Sequence, residues 1–287
     1  MQSLSVVIPA KNEEQGLAVL LPRLIEFYPE IEIIVVDDGS EDSTVKIAQD
    51  LGVSVISHPY SQGNGAAIKT GARHASGDLI CFMDADGQHD PADIGKMLEE
   101  LETKKFDMVV GARDTGSQAS LFRGIGNGFY NRFASLIVGQ KVEDLTSGYR
   151  LVRAGKFREF LSLLPNKFSY PTTITMAFFR SGYTVGYLPI KAARRLGKSH
   201  LRIWRDGIRF LLIIFKVGTL YSPLKIFLPI ALLHFILGIG YYTYTFITVS
   251  RFTNMSALLL TSSIVVFLMG LISEQITTLT YSRRDDQ

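Results

Sequence analysis

The sequence contains a single cysteine and carries little net charge. One cysteine excludes an intramolecular disulfide framework, and the apolar run around Cys81 fits a small core residue in a reducing compartment. The formal net charge is +3 over 287 residues, so charge gives no indication of nucleic-acid binding. The N-terminus also lacks the basic and apolar regions of a cleavable signal peptide, because Lys11, Glu13 and Glu14 come too early.

Charged residues are almost absent from the last quarter of the chain. Residues 226–249 and 255–273 contain no Asp, Glu, Lys or Arg, and a short connection joins them. Each run can cross a hydrocarbon core of about 30 Å, so the sequence predicts a transmembrane hairpin with spans at about 226–249 and 255–279. Lys225 precedes the first span and Arg283 follows the second. The positive-inside rule therefore predicts a cell-membrane protein with two spans and a cytoplasmic N-terminal domain.

A basic amphipathic segment precedes this hairpin. Between residues 201 and 216, apolar side chains including Trp204 recur every three or four positions, while Arg202, Arg205 and Arg209 lie on another face. This pattern is typical of a helix in a membrane interface, and a helix packed on a protein core is the alternative. The predicted divisions of the chain are an α/β domain at 1–200, an interfacial helix and linker at 201–223, and the transmembrane hairpin at 224–287.

Short apolar runs alternate with helical patterns through the first 190 residues. The predicted strands are 4–9, 31–36, 53–57, 79–83, 108–112 and 183–189. The predicted helices are 15–27, 43–51, 63–75, 91–102, 122–138 and 172–180. Residues 144–150 are predicted to form a turn that leads into a further short strand. This alternation favours a Rossmann-like, mainly parallel, doubly wound sheet, which binds ligands at the carboxyl ends of its strands.

Two carboxylates and a carboxamide follow the apolar strand that ends near Met83. Asp84, Asp86 and Gln88 alternate along the chain, so in extended backbone their side chains would point to one side. Mg²⁺ and Mn²⁺ prefer oxygen ligands, and a Mg²⁺ site commonly combines one or two carboxylates with phosphate oxygens. We therefore predict a Mg²⁺ or Mn²⁺ site at these three residues.

A divalent cation at this position indicates nucleotide-diphosphate chemistry. The sequence has no Gly-x-x-x-x-Gly-Lys-[Ser/Thr] loop, so a diphosphate would be bound through the cation instead. The cation would bridge the two phosphates of a nucleotide sugar and neutralise charge on the leaving diphosphate. Asp38 and Glu13 follow predicted strands and are placed to accept hydrogen bonds from a base or ribose. A helix cap is the structural alternative for Asp37 and Asp38.

The acceptor of such a sugar is predicted from the membrane hairpin. A membrane-bound cytoplasmic enzyme with a soluble donor favours a lipid acceptor, and a polyprenyl monophosphate has a second pKa near ~6. That phosphate is already largely dianionic at neutral pH, so it needs cations to position it rather than a general base. The alternative for each candidate cation is a surface charge or a contact with lipid headgroups. The candidates are Arg113, Arg123, Arg194, Arg195 and Lys198.

Several short stretches, taken in order, resemble GT-A glycosyltransferases of family 2. They are Val6–Glu14, Val35–Ser40, Gly63–Ala67, Met83–His89 and Gly111–Arg113. Two further stretches, Thr146–Arg150 and Gly197–Ser199 with the basic segment after it, resemble the polyprenyl-phosphate branch typified by dolichol-phosphate mannose synthase. The resemblance covers about residues 4–216.

The resemblance implies a GT-A fold and inverting transfer of a hexose from a nucleotide-diphosphate sugar to dolichyl or undecaprenyl phosphate. The donor would be GDP-mannose or a UDP-sugar, with Mg²⁺ or Mn²⁺ as cofactor. Arg113 and Arg123 would hold the acceptor phosphate, and Arg194 or Arg195 the donor diphosphate. The metal diphosphate would be held by Asp84, Asp86 and Gln88, and the predicted nucleotide-binding residues are Pro9, Ala10, Asn12, Glu13, Asp37, Asp38, Gly65, Asp84 and Ala85.

Four other functions are compared with this one. A processive polysaccharide synthase usually carries a Gln-x-x-Arg-Trp motif and more spans, and Arg202–Arg205 is not that motif. Transfer to another glycolipid or polysaccharide acceptor stays an alternative. A non-catalytic membrane scaffold would be expected to have lost the metal ligands, and a soluble nucleotidyltransferase would not need the hairpin. Hairpins of this length also pack between subunits, which leaves a homo-oligomer open.

Overall fold

The computed structural model describes residues 2–113, 121–167, 169–191, 215, 218–219 and 221–282. The described residues form two compact units, one built around a β-sheet and one that contains two C-terminal helices. Most of the predicted interfacial segment at 201–223 lies outside the described residues, as does the predicted domain boundary at residue 200.

The sheet has seven strands in the order β3-β2-β1-β4-β6-β5-β7. All neighbouring strands are parallel except β6, which runs antiparallel to both β4 and β5. This confirms the prediction of a mainly parallel, doubly wound sheet. The strands are β1 Leu4–Ala10, β2 Glu32–Asp37, β3 Ser54–Ser57, β4 Leu79–Phe82, β5 Met108–Arg113, β6 Arg150–Arg153 and β7 Val185–Ile190.

Seven helices accompany the strands in the described part of the first unit. They are α1 Glu14–Phe27, α2 Thr44–Asp50, α3 Asn64–His74, α4 Asp93–Thr103, α5 Leu121–Val138, α6 Ala154–Arg158 and α7 Tyr170–Arg180. The short α6 was not predicted, because its five residues are too few to show a helical period. The other helices lie where the apolar spacing predicted them, with ends shifted by a residue or two.

Helices cover both faces of the sheet, which explains why its central strands β1, β2 and β4 are mostly apolar and buried. On one face, Leu17 and Leu24 of α1 and Met97 of α4 are buried against the central strands. On the other face α3 packs so closely that a Cβ on Gly71 would lie 2.2 Å from Val7 Cγ1. The result is a three-layer α/β unit with its core on both sides of β1 and β4.

The chain reverses its direction of travel across the sheet between β1 and β4. After β1 it proceeds outward through β2 and β3, and β4 then lies on the opposite side of β1. Open α/β sheets bind ligands at such a switch point, beyond the carboxyl ends of the strands. The turn that follows Phe82 therefore lies at the position where this fold places a site.

The antiparallel β6 brings a further loop to the same edge. Arg150, its first residue, pairs with Phe82 at the end of β4 and with Val110 in β5. Because β6 runs the other way, the loop that precedes it, residues 144–149, lies at the carboxyl edge of the parallel strands. The amino-terminal half of the chain thus supplies most of the carboxyl edge of the sheet, and the loop at residues 144–149 lies at the same edge.

The second unit contains a helical hairpin, α8 Pro223–Val249 and α9 Asn254–Ser282. Two stretches, Pro223–Val249 and Asn254–Leu279, are long and apolar enough to cross a membrane. Between the helices, Ser263 Oγ donates a 2.9 Å hydrogen bond to the Ala231 carbonyl, and a Cβ on Gly238 would lie 2.9 Å from the Leu260 side chain. Small residues permit this close approach, as in many membrane helix pairs.

One carboxylate of α9 lies at the amino-terminal end of α8. Glu274 of α9 accepts a 3.2 Å hydrogen bond at Oε2 from the backbone N–H of Leu224, in the first turn of α8. The first N–H groups of a helix have no partner within it, and a negative charge there is favourable. The Glu274 side chain of α9 therefore caps the amino-terminal end of α8.

Candidate active site

The acidic turn after β4 is compact rather than extended. Ala85 and Asp86 lie in a turn, Gly87 has φ +73°, and the Gln88 N–H donates a 3.1 Å hydrogen bond to Asp86 Oδ1. The prediction that Asp84, Asp86 and Gln88 alternate along extended backbone is therefore wrong. The physical reason is Gly87, whose positive φ is readily adopted by glycine and reverses the chain there.

Close packing on two sides fixes this turn. The carbonyl oxygen of Ala85 would lie 1.9 Å from a Cβ placed on Gly16 of α1. On the other side, the Asp84 carboxylate lies against Gly148, where a Cβ would be 2.6 Å from Oδ2 and 2.9 Å from Oδ1. Two glycines from distant parts of the chain thus provide the space that the turn occupies.

His89 closes the turn and is neutral at neutral pH. Its ring stacks on Tyr149 with centroids 4.7 Å apart and an interplanar angle of 14°. Burial lowers the pKa of His89 to about 4, and the positive charge of Arg113 acts in the same direction while Asp86 opposes it. The Asp84 N–H donates to His89 Nδ1 at 3.3 Å, which assigns the ring proton to Nε2.

Arg113, the last residue of β5, is held by the loop that precedes β6. Its Nε donates to Asp144 Oδ2 at 2.8 Å, and its Nη2 donates to Asp144 Oδ1 at 3.1 Å and to Thr146 Oγ1 at 2.6 Å. Burial alone would lower the pKa of Arg113, but Asp144 outweighs it and raises that pKa, with added contributions from Asp84 and Asp86. The guanidinium and the acidic turn are therefore electrostatically coupled.

A fully buried arginine organises the same loop. Arg150 is 0% exposed, its Nε donates to the Ser147 carbonyl at 2.7 Å, and its Nη2 donates to the Leu145 carbonyl at 3.2 Å. Its Nη1 donates to Thr175 Oγ1 of α7 at 2.5 Å. A buried cation is costly unless it is well hydrogen-bonded, so these bonds fix the loop between residues 145 and 147.

The residues after β2 form a second polar cluster. Asp38 accepts hydrogen bonds from His58 Nδ1 at 2.8 Å, Ser61 Oγ at 2.7 Å and the N–H groups of Gln62 and Gly63 at 2.7 and 2.8 Å. Burial raises the pKa of Asp38, yet these bonds outweigh it and hold that pKa below its ordinary value. A carboxylate offers about four acceptor positions, so protein donors already use the capacity of Asp38.

The loops after β1 and β2 are bound to each other. The Asn12 N–H donates to Ser40 Oγ at 2.9 Å, and Asn12 Oδ1 accepts from the Glu41 N–H at 2.8 Å. The Glu13 N–H donates to Thr44 Oγ1 at 2.9 Å. Asp37, predicted beside Asp38, accepts from the Ser40 N–H at 2.9 Å, so its carboxylate closes the turn after β2 and does not cap a helix.

Three predicted nucleotide contacts either have a packing explanation of their own or lie at a strand end. A Cβ on Gly65 would be 2.0 Å from the Pro165 carbonyl oxygen, so this glycine permits a close approach of α3 to residues 165–167. Pro9 and Ala10 end β1, and Ala10 pairs with Asp37 of β2. All three stay predictions as nucleotide contacts.

The carboxyl edge of the sheet brings most of the predicted residues together. Its members come from the loops after β1, β2 and β4 and from the end of β5. Arg123 lies in α5 but its side chain is outside the described residues, as are Arg194, Arg195 and Lys198 entirely. Sequence reasoning missed Asp144, Thr146 and His89. The Asp-x-Thr-Ser pattern of an Asx turn was visible, but its pairing with a residue 31 positions earlier was not.

The described residues fit a divalent cation that is completed by ligand oxygens. Within the described part of the chain, no group of three or more His, Cys, Asp or Glu side chains is arranged to hold a metal alone. Asp84 and Asp86 supply two carboxylates beside the amide of Gln88, which suits a Mg²⁺ site that also takes phosphate oxygens.

An acidic turn and a guanidinium lie at the carboxyl edge of this doubly wound sheet, and the family match and a solved structure assign the arrangement to the class of GT-A-like glycosyltransferases. Residues 5–161, more than half of the chain, match the glycosyl transferase family 2. The chain therefore belongs to this family. Residues 222–279 match the GtrB C-terminal hairpin, which corresponds to α8 and α9 and confirms the predicted hairpin.

Two curated relatives are polyprenyl-phosphate sugar enzymes by name. Over 166 residues the chain is 32% identical to dodecaprenyl-phosphate galacturonate synthase of Rhizobium johnstonii, covering 54% of this chain and 49% of that protein. Over 210 residues it is 30% identical to undecaprenyl-phosphate mannosyltransferase of Micrococcus luteus, covering 68% and 86%. The match thus spans about half the length of the first relative and most of the second.

A solved structure confirms the fold. Glucosyl-3-phosphoglycerate synthase from Mycobacterium tuberculosis, in complex with Mn²⁺, UDP-glucose and phosphoglyceric acid, superposes with a TM-score of 0.62 and 17% identity. The superposition covers 76% of this chain and 80% of that chain. At this identity the likeness establishes a shared GT-A-like fold, and that fold is one solved with a divalent cation and a nucleotide sugar.

Proposed function

We propose that this protein transfers a hexose from a nucleotide-diphosphate sugar to a polyprenyl phosphate. One observation carries the proposal: the loop of residues 144–148 contacts Arg113 through Asp144 at 2.8 Å, and Gly148 of the same loop lies against the Asp84 carboxylate. A cation-binding turn and a phosphate-binding side chain are thus close enough to act on two phosphate-bearing substrates. The names of the two curated relatives support the lipid acceptor.

The donor half of the site is the acidic turn. Asp84, Asp86 and Gln88 would hold Mg²⁺ or Mn²⁺, which offsets negative charge on the departing nucleotide diphosphate. The loops after β1 and β2 would receive the nucleoside, and Glu13 and backbone groups near Ala10 are its predicted contacts. Because Asp38 already accepts four protein hydrogen bonds, we assign it the role of fixing the loop at 61–63 beside the nucleoside.

The acceptor half needs a cation rather than a base. The phosphate of a polyprenyl phosphate is largely dianionic at neutral pH and can attack the anomeric carbon without losing a proton. Arg113 would orient it through charge-assisted hydrogen bonds. His89 is poorly suited as a base, since its Nδ1 accepts from the Asp84 N–H and its pKa of about 4 makes it a weak one.

The hairpin explains how the acceptor is supplied. A polyprenyl chain stays in the bilayer, so an enzyme that is anchored there meets its acceptor at high local concentration. We propose that the sheet unit faces the cytoplasm, which is supported by Lys225 in the first turn of α8 and Arg283 after α9. Arg194, Arg195 and Lys198 remain candidates for contacts with the donor diphosphate or lipid phosphates.

The hexose and nucleotide are left to experiment. The curated relatives are named for mannose and galacturonate, and the solved relative binds UDP-glucose. GDP-mannose and UDP-sugars are therefore the donors to compare. A non-catalytic scaffold is disfavoured, because the two carboxylates of the acidic turn are retained and fixed by glycine packing.

The test uses membranes that contain the full chain. Labelled GDP-mannose, UDP-glucose, UDP-N-acetylglucosamine and UDP-galacturonate are each incubated with undecaprenyl phosphate and Mg²⁺ or Mn²⁺. We expect label from one donor in the organic phase. Asp86→Ala should reduce that label by about 100-fold or more. Asp78→Asn is the matched control, because Asp78 lies at the opposite end of β4 and its carboxylate accepts hydrogen bonds from Ser3, far from the acidic turn.

Two results would count against the proposal. Absence of organic-phase label from every donor, with the protein folded and in the membrane, would exclude a polyprenyl-phosphate acceptor. If Asp86→Ala gives as much organic-phase label as the control variant, the acidic turn has no role in the reaction.

A further inference from the structure

The hydrogen bonds of Arg113 are divided unevenly among its nitrogens. The Nε hydrogen goes to Asp144 Oδ2, and Nη2 donates to Asp144 Oδ1 and Thr146 Oγ1. Within the described residues, Nη1 has no protein partner, and 29% of the Arg113 side chain is exposed. One edge of the guanidinium is therefore fixed by protein, and the two N–H groups of Nη1 remain for a ligand.

Asp144, which fixes this edge of the Arg113 guanidinium, is itself held by hydrogen bonds. Asp144 is 6% exposed and also accepts hydrogen bonds at Oδ1 from the N–H groups of Thr146 at 3.0 Å and Ser147 at 3.1 Å. Arg150 donates hydrogen bonds to the carbonyls of Leu145 and Ser147 in the same turn. The Asp144 carboxylate consequently has one orientation, and it imposes that orientation on the guanidinium plane.

We propose that Asp144 is a positioning residue that orients Arg113 for the acceptor phosphate. The inference rests on the proposed function and adds to it the residue that sets the geometry of the phosphate site. Asp144 touches no substrate in this scheme. It acts by keeping Nη1 aimed at one place, so that a phosphate oxygen is bound without reordering the arginine.

Two physical effects of Asp144 oppose each other, which makes its role measurable. Its negative charge partly cancels that of Arg113, so removing the charge would strengthen the Coulomb attraction for a phosphate. Its fixed carboxylate pre-orders the guanidinium, so removing it would weaken a directed hydrogen bond and misplace the nucleophile. If positioning dominates, Asp144→Asn weakens use of the acceptor; if charge balance dominates, the same change lowers the acceptor KM.

The experiment compares Asp144→Asn with Asp107→Asn in the full chain in detergent or nanodiscs. Asp107 lies just before β5, at the other end of the strand from Arg113, and is paired with Lys156 at 2.7 Å. Both aspartates have pKa values below the ordinary range, because hydrogen bonds outweigh the effect of burial. The two variants therefore lose comparable pairs at opposite edges of the sheet.

We expect Asp144→Asn to reduce kcat/KM for polyprenyl phosphate by about 10- to 100-fold, the range seen when an outer partner of a site residue is removed. The dissociation constant of the metal–nucleotide donor, measured by calorimetry without acceptor, should change less than twofold. Asp107→Asn should lower thermal stability to a similar degree and leave both constants unchanged.

A double-mutant cycle with Arg113→Lys separates positioning from a general structural effect. Lysine cannot make the two-point pair with Asp144. Adding Asp144→Asn to Arg113→Lys should therefore lower kcat/KM for polyprenyl phosphate by less than a further threefold. Thr146→Val, which keeps Asp144 but removes one acceptor of the Arg113 Nη2 hydrogen bonds, provides a milder variant if Asp144→Asn does not fold. It should reduce acceptor kcat/KM by a smaller factor than Asp144→Asn.

The inference and the proposed function fail in different ways. If wild-type protein transfers sugar to the lipid but Asp144→Asn keeps its acceptor kcat/KM within twofold, or has a lower acceptor KM, the positioning role is wrong. Fully additive losses in the double-mutant cycle would also overturn it. If wild-type protein neither transfers to polyprenyl phosphate nor binds farnesyl phosphate by calorimetry, the proposed function fails and the inference fails with it.

Discussion

A single methyl group added at Gly148 tests the acidic turn without touching its ligands. A Cβ at this position would lie 2.6 Å from Asp84 Oδ2, where ordinary contact begins at 3.4 Å. The carboxylate must therefore move by about 0.8 Å, the difference between those distances. Gly148 has an ordinary φ, so alanine adds no backbone strain, and the group that gives way is the end of a side chain.

The size of the effect follows from the rigidity of the proposed cation site. Mg²⁺ holds oxygen ligands at about 2.0–2.1 Å, and a credible site tolerates deviations of about 0.2 Å. A displacement several times larger should remove Asp84 as a well-placed ligand. We expect a 10- to 100-fold loss of metal affinity, or about 1.4–2.7 kcal/mol, while the free energy of unfolding falls by less.

The assay is a titration of Mg²⁺ or Mn²⁺ against binding of the nucleoside diphosphate. Gly155→Ala is the control, because a Cβ on Gly155 in α6 meets nothing within 4 Å. The reasoning would be refuted if Gly148→Ala bound the metal–nucleotide complex as tightly as the control. It would also be refuted if both variants lost affinity equally.

Three further predictions concern other parts of the molecule. Gly16→Ala should lower the free energy of unfolding by about 1–3 kcal/mol and reduce sugar transfer, because its Cβ would lie 1.9 Å from the Ala85 carbonyl oxygen, and chemical denaturation with an activity assay measures both. The lowered pKa of Asp107 contributes stability that is present above its unfolded pKa of about 3.9 and is lost as pH falls through the folded pKa. Unfolding measured from pH 6 to pH 2 should therefore show a weaker acid loss in Asp107→Asn, and an identical pH profile would contradict this. Glu274→Gln should lower the detergent-phase thermal stability of the hairpin modestly, by about 0.3–1 kcal/mol, since a charge at the α8 terminus beside the Leu224 N–H is removed.

Periodicity predicted the sheet unit well where strands are apolar and helices long. The two strands before Asp37 and Asp84 are buried on both faces. Their sequences are therefore continuously apolar and end in polar residues, and this pattern predicted both strands. The direction of β6 was not, because four residues with an arginine at each end carry no sign of which neighbour they pair with. Strand direction depends on the loop before Arg150, which has to return to the carboxyl edge.

The candidate site divides in the same way. Asp84, Asp86 and Arg113 were predicted from residue type and from their positions after strands. The turn at Gly87 was misread as extended chain, because local alternation does not reveal a positive φ. Asp144 was missed for a different reason: its salt bridge with Arg113 joins residues far apart in sequence, and only the sheet topology brings them together.

The central claim is that an acceptor phosphate, already ionised, attacks a sugar whose nucleotide is neutralised at the acidic turn. The most direct measurement gives purified full-length protein one active donor and either undecaprenyl phosphate or undecaprenol, with and without divalent cation. The account predicts a glycosyl phosphate product, identified by mass, only with the phosphate and only with the cation. Comparable transfer to undecaprenol, or full activity after chelation of divalent cations, would contradict it.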